Sequence, residues 1–156
     1  MLVGQFEIPM SVNEEVFSYA YKSGVKTVLN PAPANKPTDI LLEHTSWFIP
    51  NEVEFEEIYG EVFNEENLLL FANNLKTNLV VTLGEKGCAY IKNNSVKIMN
   101  TDSVKAIDTT GAGDAFVGAF SFGLASKLEI EECLKLALQK ATDSVTKKGT
   151  QSSYKN

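Results

Sequence analysis

The pattern of hydrophobic and polar positions predicts strands and helices that alternate along the whole chain. Short apolar runs ended by glycine, proline or asparagine predict strands, and longer segments with apolar residues three and four positions apart predict helices. The predicted strands are residues 1–3, 25–29, 47–49, 79–83, 88–91, 96–99 and 103–107. The predicted helices are residues 11–22, 39–44, 51–59, 65–74, 115–125 and 129–142, and the spacing of Ser11 and Glu14 predicts a capping box at the start of the first one. Such alternation is typical of α/β domains, in which right-handed βαβ units build a mainly parallel sheet.

A glycine-bearing turn links the last predicted strand to the helix that follows it. The turn reads Asp-Thr-Thr-Gly-Ala-Gly-Asp over residues 108–114, and the helix after it repeats apolar residues on one face. A helix start exposes unpaired N–H groups with a partial positive charge, and glycines let an anion approach them closely. Asp114 beside that anion could take a proton from a hydroxyl that attacks phosphorus. The alternative is an ordinary helix start, where Asp is a favoured residue.

Composition and charge narrow the class of protein. The chain has 156 residues, 44% of them hydrophobic and 22% charged, which predicts one globular domain over residues 1–156. The net charge of -6, with no basic run, argues against a nucleic-acid or anionic-membrane partner. No apolar run reaches the roughly 18 residues of a membrane span. Cys88 and Cys133 have no metal-ligand spacing, which favours free buried thiols in a reducing cytoplasm.

The string from Asp108 to Phe120 (DTTGAGDAFVGAF) closely resembles the second signature of the ribokinase-like carbohydrate kinases, the PfkB family. The Asn-Pro-Ala-Pro-Ala segment at residues 30–34 and the segment at residues 144–154 are also similar to that family. The resemblance implies a three-layer αβα fold with a mainly parallel sheet. It covers the chain but only the C-terminal half of a family member, without the N-terminal half and its lid. A first strand with almost nothing before it agrees with a missing upstream part.

The resemblance implies ATP-dependent phosphorylation of a sugar primary hydroxyl, with D-ribose favoured, and a homodimer for the full-length protein. Fructose or adenosine as substrate, and a non-catalytic nucleotide-binding role, stay open. Asp114 would be the catalytic base, and the N–H groups of Gly111, Ala112 and Gly113 would stabilise charge on the phosphoryl group. The implied nucleotide contacts are Asn51, Thr82, Leu83, Gly84, Glu85, Lys86, Gly87, Gly113 and Asp114. Because these segments each follow a predicted strand, they can converge on one edge of the sheet.

Two cation sites also follow from the resemblance. Glu52 would bind Mg²⁺ through water, with Glu54 in the same acidic cluster. The alternatives are a solvated acidic face and, for Asn51, an ordinary helix N-cap. A K⁺ site would use Asp108, Thr110, Ser144, Lys147, Gly149 and Ser153, with Lys147 acting through its carbonyl. A cation-free tail is the alternative there. Leu138 occupies the position near the adenine where family members often carry Asn or His, so the sequence departs from the family at that contact.

Overall fold

The structure, a computed structural model, describes residues 1–150 and divides into two compact units. The first, here called the sheet unit, comprises residues 1–83 and 89–98. The second, the helix-pair unit, comprises residues 84–88 and the chain from residue 99 onward. A single-domain organisation stays a prediction.

The sheet unit is built on a six-stranded sheet whose strands lie in sequence order. The strands are β1 (Leu2–Gly4), β2 (Thr27–Leu29), β3 (Trp47–Phe48), β4 (Asn78–Thr82), β5 (Cys88–Lys92) and β6 (Ser95–Met99). Its helices are α1 (Met10–Lys22), α2 (Asp39–Glu43), α3 (Glu52–Tyr59) and α4 (Glu65–Asn74). The helix-pair unit contains a 3₁₀ turn (Gly84–Lys86) and the helices α5 (Ala112–Ala125) and α6 (Ile130–Val145).

The first four strands run parallel, and the last two form a hairpin. The pairs Leu2–Thr27, Val28–Trp47 and Trp47–Asn78 set the parallel register. Strands β5 and β6 are neighbours joined by Asn93 and Asn94, whose φ angles of 52° and 56° are those of a tight hairpin turn. The fold is therefore α/β with a mixed, mostly parallel sheet, as the sequence pattern predicts.

The hydrophobic core of the sheet unit lies between the sheet and its helices. Phe48, Phe55, Leu68 and Val81 are almost completely buried in it. Phe55 packs its ring edge-on against Phe71 at a centroid distance of 5.4 Å, a favourable geometry for aromatic pairs. The parallel strands are buried because helices cover them, so they read as continuous apolar runs.

Two local expectations were wrong. Residues 103–107 form no strand, because the N–H of Ile107 donates to the carbonyl of Val145 at 2.7 Å instead of to a neighbouring strand. Helix α1 begins at Met10 after Pro9, and no side chain caps it. The predicted capping box of Ser11 and Glu14 is therefore absent, and the Glu14 carboxylate accepts a hydrogen bond from the Thr38 hydroxyl instead.

The two helices of the helix-pair unit pack closely through their predicted apolar faces. Phe116 and Phe120 of α5 and Leu134 of α6 are buried. A Cβ atom added to Gly123 would lie only 2.9 Å from the Cys133 sulfur, so glycine permits the close approach of the helices. Cys88 and Cys133 are both free and buried, as predicted. Burial raises the pKa of the Cys88 thiol to about 12 and also raises the pKa of Cys133.

None of the helices within residues 1–150 combines the length and the apolar character that crossing a bilayer requires.

Candidate active site

At the carboxyl ends of β3 and β4 the structure brings two predicted nucleotide contacts together. Asn51 and Thr82 form an isolated parallel bridge, and the N–H of Thr82 donates to the carbonyl of Pro50 at 3.0 Å. Parallel strands place their carboxyl ends at the same edge, where ligands of α/β proteins bind. The convergence expected for these two residues is thus present in the sheet unit.

Asn51 is the N-cap of α3 and forms a reciprocal capping box with Glu54. Its side-chain oxygen accepts a hydrogen bond from the N–H of Glu54 at 2.8 Å, and the Glu54 carboxylate accepts one from the N–H of Asn51 at 2.8 Å. Burial raises the pKa of the Glu54 carboxyl above its usual range, although the hydrogen bond from Asn51 opposes that shift. The local alternative of an N-cap is therefore confirmed for Asn51. Glu54 is a buried capping residue and not part of a solvated acidic face, whereas Glu52 lies half-buried in the first turn.

The loop after β4 belongs to the helix-pair unit from Gly84 onward and forms a 3₁₀ turn. Gly84, Glu85 and Lys86 are exposed and Gly87 is buried. Gly87 has a φ angle of 98°, and a Cβ atom there would lie 2.0 Å from the carbonyl oxygen of Met99. Only glycine fits this position, because any side chain would overlap the backbone of the strand end. Leu83, the other predicted contact in this stretch, is buried in the core of the sheet unit.

Gly111 begins helix α5 in the left-handed conformation, with a φ angle of 79°. No side chain caps this helix, and the N–H of Ala112 donates to the carbonyl of Thr109 at 3.3 Å. Asp114 lies in that first turn and is exposed. The turn therefore offers a positive helix end, small residues and a carboxylate in one place, which is the combination expected for an anion site with an adjacent base.

Asp108 ties the glycine turn to the segment after α6. Its carboxylate accepts hydrogen bonds from the N–H groups of Thr110 and Gly149, both at 3.0 Å. These backbone hydrogen bonds lower the pKa of Asp108 below its usual range. The N–H groups of Ile107 and Asp108 both donate to the carbonyl of Val145, at 2.7 and 3.2 Å. Five of the predicted K⁺ residues therefore lie on two segments that are hydrogen-bonded to each other, namely Asp108, Thr110, Ser144, Lys147 and Gly149.

Two predicted cation ligands contribute less to this picture. The Ser144 hydroxyl donates to the carbonyl of Ala141 at 2.7 Å and is buried, and Lys147 is exposed. Ser153 lies outside the described residues. Within residues 1–150, no three His, Cys, Asp or Glu side chains converge in a metal-binding cluster.

The helix-pair unit also contains a cleft of about 400 Å³ that sequence analysis identified only through Leu138. Its lining residues are Met99, Asn100, Thr101, Asp102, Val104, Lys135, Leu138, Gln139, Thr142 and Asp143. Positions 135, 138, 139 and 142 share one face of α6 because they are three and four residues apart. The spacing of these four positions is visible in the sequence. The segment over residues 99–104, which forms the other side of the cleft, could not be predicted because its position depends on tertiary contacts.

Comparison with known proteins extends the resemblance to nearly the whole chain. The profile of the family described as pfkB family carbohydrate kinase matches residues 4–156. The ribokinase of Lactococcus lactis is 33% identical over 151 residues, which is 97% of this chain and 49% of that protein. The deoxyribokinase of Salmonella typhi is 34% identical over 160 residues, which is 99% of this chain and 52% of that protein. The chain thus spans about half the length of these curated relatives.

Comparison with solved structures shows the same similarity at the level of the fold. The ribokinase of Arabidopsis thaliana, in a complex with ribose and ATP, superposes with a TM-score of 0.89 at 28% identity. The match covers 97% of this chain and 52% of that one.

Proposed function

The chain belongs to the pfkB family of carbohydrate kinases, and from that premise we propose that it supplies the ATP-binding and catalytic-base half of a sugar kinase. The reaction is phosphorylation of a primary hydroxyl, most directly that of D-ribose, to give ribose 5-phosphate and ADP. The observation that carries the proposal is the start of α5, where a left-handed glycine, an uncapped helix end and Asp114 lie in one turn. The other proposed nucleotide contacts are Asn51, Thr82 and Leu83 in the sheet unit and residues 84–87 in the helix-pair unit.

Asp114 acts as the general base. It takes the proton from the sugar hydroxyl while the hydroxyl oxygen bonds to the γ-phosphorus and the bond from that phosphorus to the bridging oxygen breaks, releasing ADP. The N–H groups of Gly111, Ala112 and Gly113 stabilise the charge that develops on the transferred group. Asp114 is exposed in the first turn of α5, where an incoming hydroxyl can reach its carboxylate.

The nucleobase is assigned to the cleft of the helix-pair unit. Its volume of about 400 Å³ is in the range of small-molecule sites. Leu138 and Val104 offer apolar area against which a flat ring can pack. The printed description of the Arabidopsis relative, a complex with ribose and ATP, supports ATP as the donor nucleotide.

The residues present fit the two cations. Glu52 is half-buried at the carboxyl edge of the sheet and can hold Mg²⁺ through water, as this ion usually binds, and Mg²⁺ would neutralise phosphate charge. The carboxylate oxygens of Asp108 accept the N–H groups of Thr110 and Gly149, and charged oxygen atoms of this kind suit a hard cation such as K⁺. The remaining proposed K⁺ ligands are Thr110, Ser144, Lys147, Gly149 and Ser153.

Two alternatives have specific support. Similarity to a deoxyribokinase, at 34% identity, supports 2-deoxyribose as a substrate. The second alternative is a nucleotide-binding role without catalysis, which needs only the start of α5 and the cleft, both of which lie within the helix-pair unit.

The test is to incubate the chain with ATP, Mg²⁺ and K⁺, with and without sugar, and to measure ADP release and nucleotide binding in parallel. Ribose-dependent ADP release supports the kinase, and a faster rate with 2-deoxyribose identifies that sugar as the better substrate. Binding of ATP without ADP release supports the non-catalytic role. A folded chain that binds no ATP contradicts both.

A further inference from the structure

We propose that the cleft of the helix-pair unit holds the nucleobase without selecting adenine over guanine, so that GTP binds this chain about as well as ATP. This inference rests on the proposed function, because it assumes that a nucleoside triphosphate is the ligand. It goes beyond that function because it states that the site does not distinguish the two purine bases.

The one buried side chain that lines the cleft within residues 1–150 is apolar. Among the described residues that line it, Leu138 is the only buried one, with 6% of its surface exposed. Met99 and Val104 add further apolar area. Adenine and guanine have the same fused-ring shape, and an apolar surface discriminates weakly between ligands of the same shape. Contact with Leu138 therefore contributes binding without distinguishing the two bases.

The polar side chains at the cleft lie on its exposed rim. These are Asn100, Asp102, Lys135, Gln139 and Asp143, all of which are exposed. The amides of Asn100 and Gln139 carry both donor and acceptor groups and can turn to suit either base. The carboxylates of Asp102 and Asp143 accept hydrogen bonds, and both purines offer an N–H donor. Strong rejection of the wrong ligand needs a buried polar group that this ligand leaves unpaired, and these rim residues stay in contact with water.

The half-buried polar pair in the cleft is also adaptable. The hydroxyls of Thr101 and Thr142 are 2.7 Å apart, and either can donate to the other. Adenine presents an amino donor at the carbon where guanine presents a carbonyl acceptor. Reversing the direction of the Thr101–Thr142 hydrogen bond changes which hydroxyl has a free proton, so the pair can meet either group. A fixed donor or acceptor at this place would have favoured one base.

The test is calorimetric titration of the chain with ATP, GTP and inorganic tripolyphosphate in the presence of Mg²⁺. We expect Kd values for ATP and GTP that agree within about tenfold, and weaker binding of tripolyphosphate, because the base contributes by packing. A preference for ATP of more than tenfold overturns this inference and leaves the proposed function standing. Equal binding of tripolyphosphate and ATP also overturns it, since the cleft then contributes nothing. If no triphosphate binds a folded chain, the proposed function fails together with the inference.

Two variants distinguish apolar packing against the base from recognition of the base by hydrogen bonds. Leu138→Ala removes apolar contact and is expected to weaken ATP and GTP binding by the same factor. Gln139→Leu changes an exposed rim residue of the same helix and is expected to leave the ATP-to-GTP ratio within tenfold of one. A ratio that moves beyond that limit in Gln139→Leu shows that Gln139 reads the base and overturns the inference. Because Leu138 is buried, circular dichroism must show unchanged helix content in Leu138→Ala, and Gln139→Leu provides the decisive result if it does not.

Discussion

The carboxylate of Asp108 accepts a hydrogen bond from the N–H of Gly149 at 3.0 Å and another from the N–H of Thr110 at the same distance. One side chain therefore joins the residues before the glycine turn to the segment after α6. The geometry of the turn that begins α5 consequently depends on residues near the end of the described chain.

The two hydrogen bonds that the Asp108 carboxylate accepts should weaken at low pH. Because hydrogen bonds lower the pKa of Asp108 in the folded chain, its contribution is present above the ordinary carboxyl pKa of about 4 and is lost as the pH falls through the lower folded value. We expect the amide protons of Thr110 and Gly149 to lose protection from hydrogen exchange in that acidic window. Asp108→Asn removes the titrating group and keeps its size, so protection at Gly149 should no longer change there. An unchanged pH profile in the variant would show that another group is responsible.

Glycine is required at Gly87 by packing, whereas at Gly84 it is required only by backbone conformation. A Cβ atom at Gly87 would overlap the Met99 carbonyl, while one at Gly84, with a φ angle of 58°, meets nothing within 4 Å. We expect Gly87→Ala to lower the free energy of unfolding by about 3 kcal/mol or more and Gly84→Ala by about 1 kcal/mol. Urea denaturation measures both. Similar losses in the two variants would contradict the packing argument.

A second glycine pair lies within helix α5. Gly118 is exposed with open space around its Cα, whereas a Cβ atom at Gly123 would press on Cys133. Gly118→Ala should raise the free energy of unfolding by about 0.5–1 kcal/mol, because alanine loses less backbone entropy on folding. Gly123→Ala should lower it by about 1–3 kcal/mol.

The double variant tests the cause of that loss. Cys133→Ala removes the sulfur atom 2.9 Å from the added Cβ, so Gly123→Ala should cost less in that background by at least about 0.5 kcal/mol. Additive losses in thermal unfolding would mean that the sulfur is not the obstacle.

Asp114 should be needed for turnover and not for nucleotide binding. We expect Asp114→Asn to reduce ribose-dependent ADP release by at least about 100-fold, the usual contribution of a general base, with the Kd for ATP changed by less than about threefold. Asp39→Asn is the matched control, because Asp39 also lies exposed in the first turn of a helix. Normal turnover in Asp114→Asn would remove Asp114 as the base.

The sequence predicted those features that depend on local patterns. Helix α4 occupies the predicted residues 65–74, since Asn64 caps it and its apolar residues repeat at helical spacing. The hairpin turn at Asn93 and Asn94 follows from their tolerance of positive φ angles. The family resemblance rests on one continuous string, which is why it was visible without a structure.

The features that were missed depend on contacts between distant segments. Residues 103–107 have the composition of a strand, but their end is hydrogen-bonded to Val145. An N-cap role for Asn51 was one of the alternatives that the sequence left open, but the reciprocal hydrogen bonds with Glu54 and the burial of Glu54 appear only in the folded chain. The cleft could not be predicted because its two sides, around Asn100 and Thr142, come together only in the folded chain.

The two buried thiols can report local unfolding of this protein through their chemical reactivity. Cys88 lies in the sheet and Cys133 faces Gly123 between α5 and α6, and burial keeps both in the unreactive protonated form. An alkylating reagent should therefore leave the native chain unmodified and should label each cysteine only when its surroundings separate. Mass spectrometry of the alkylated chain can thus follow opening at two separate places, the start of β5 and the contact between α5 and α6, with no engineered probe.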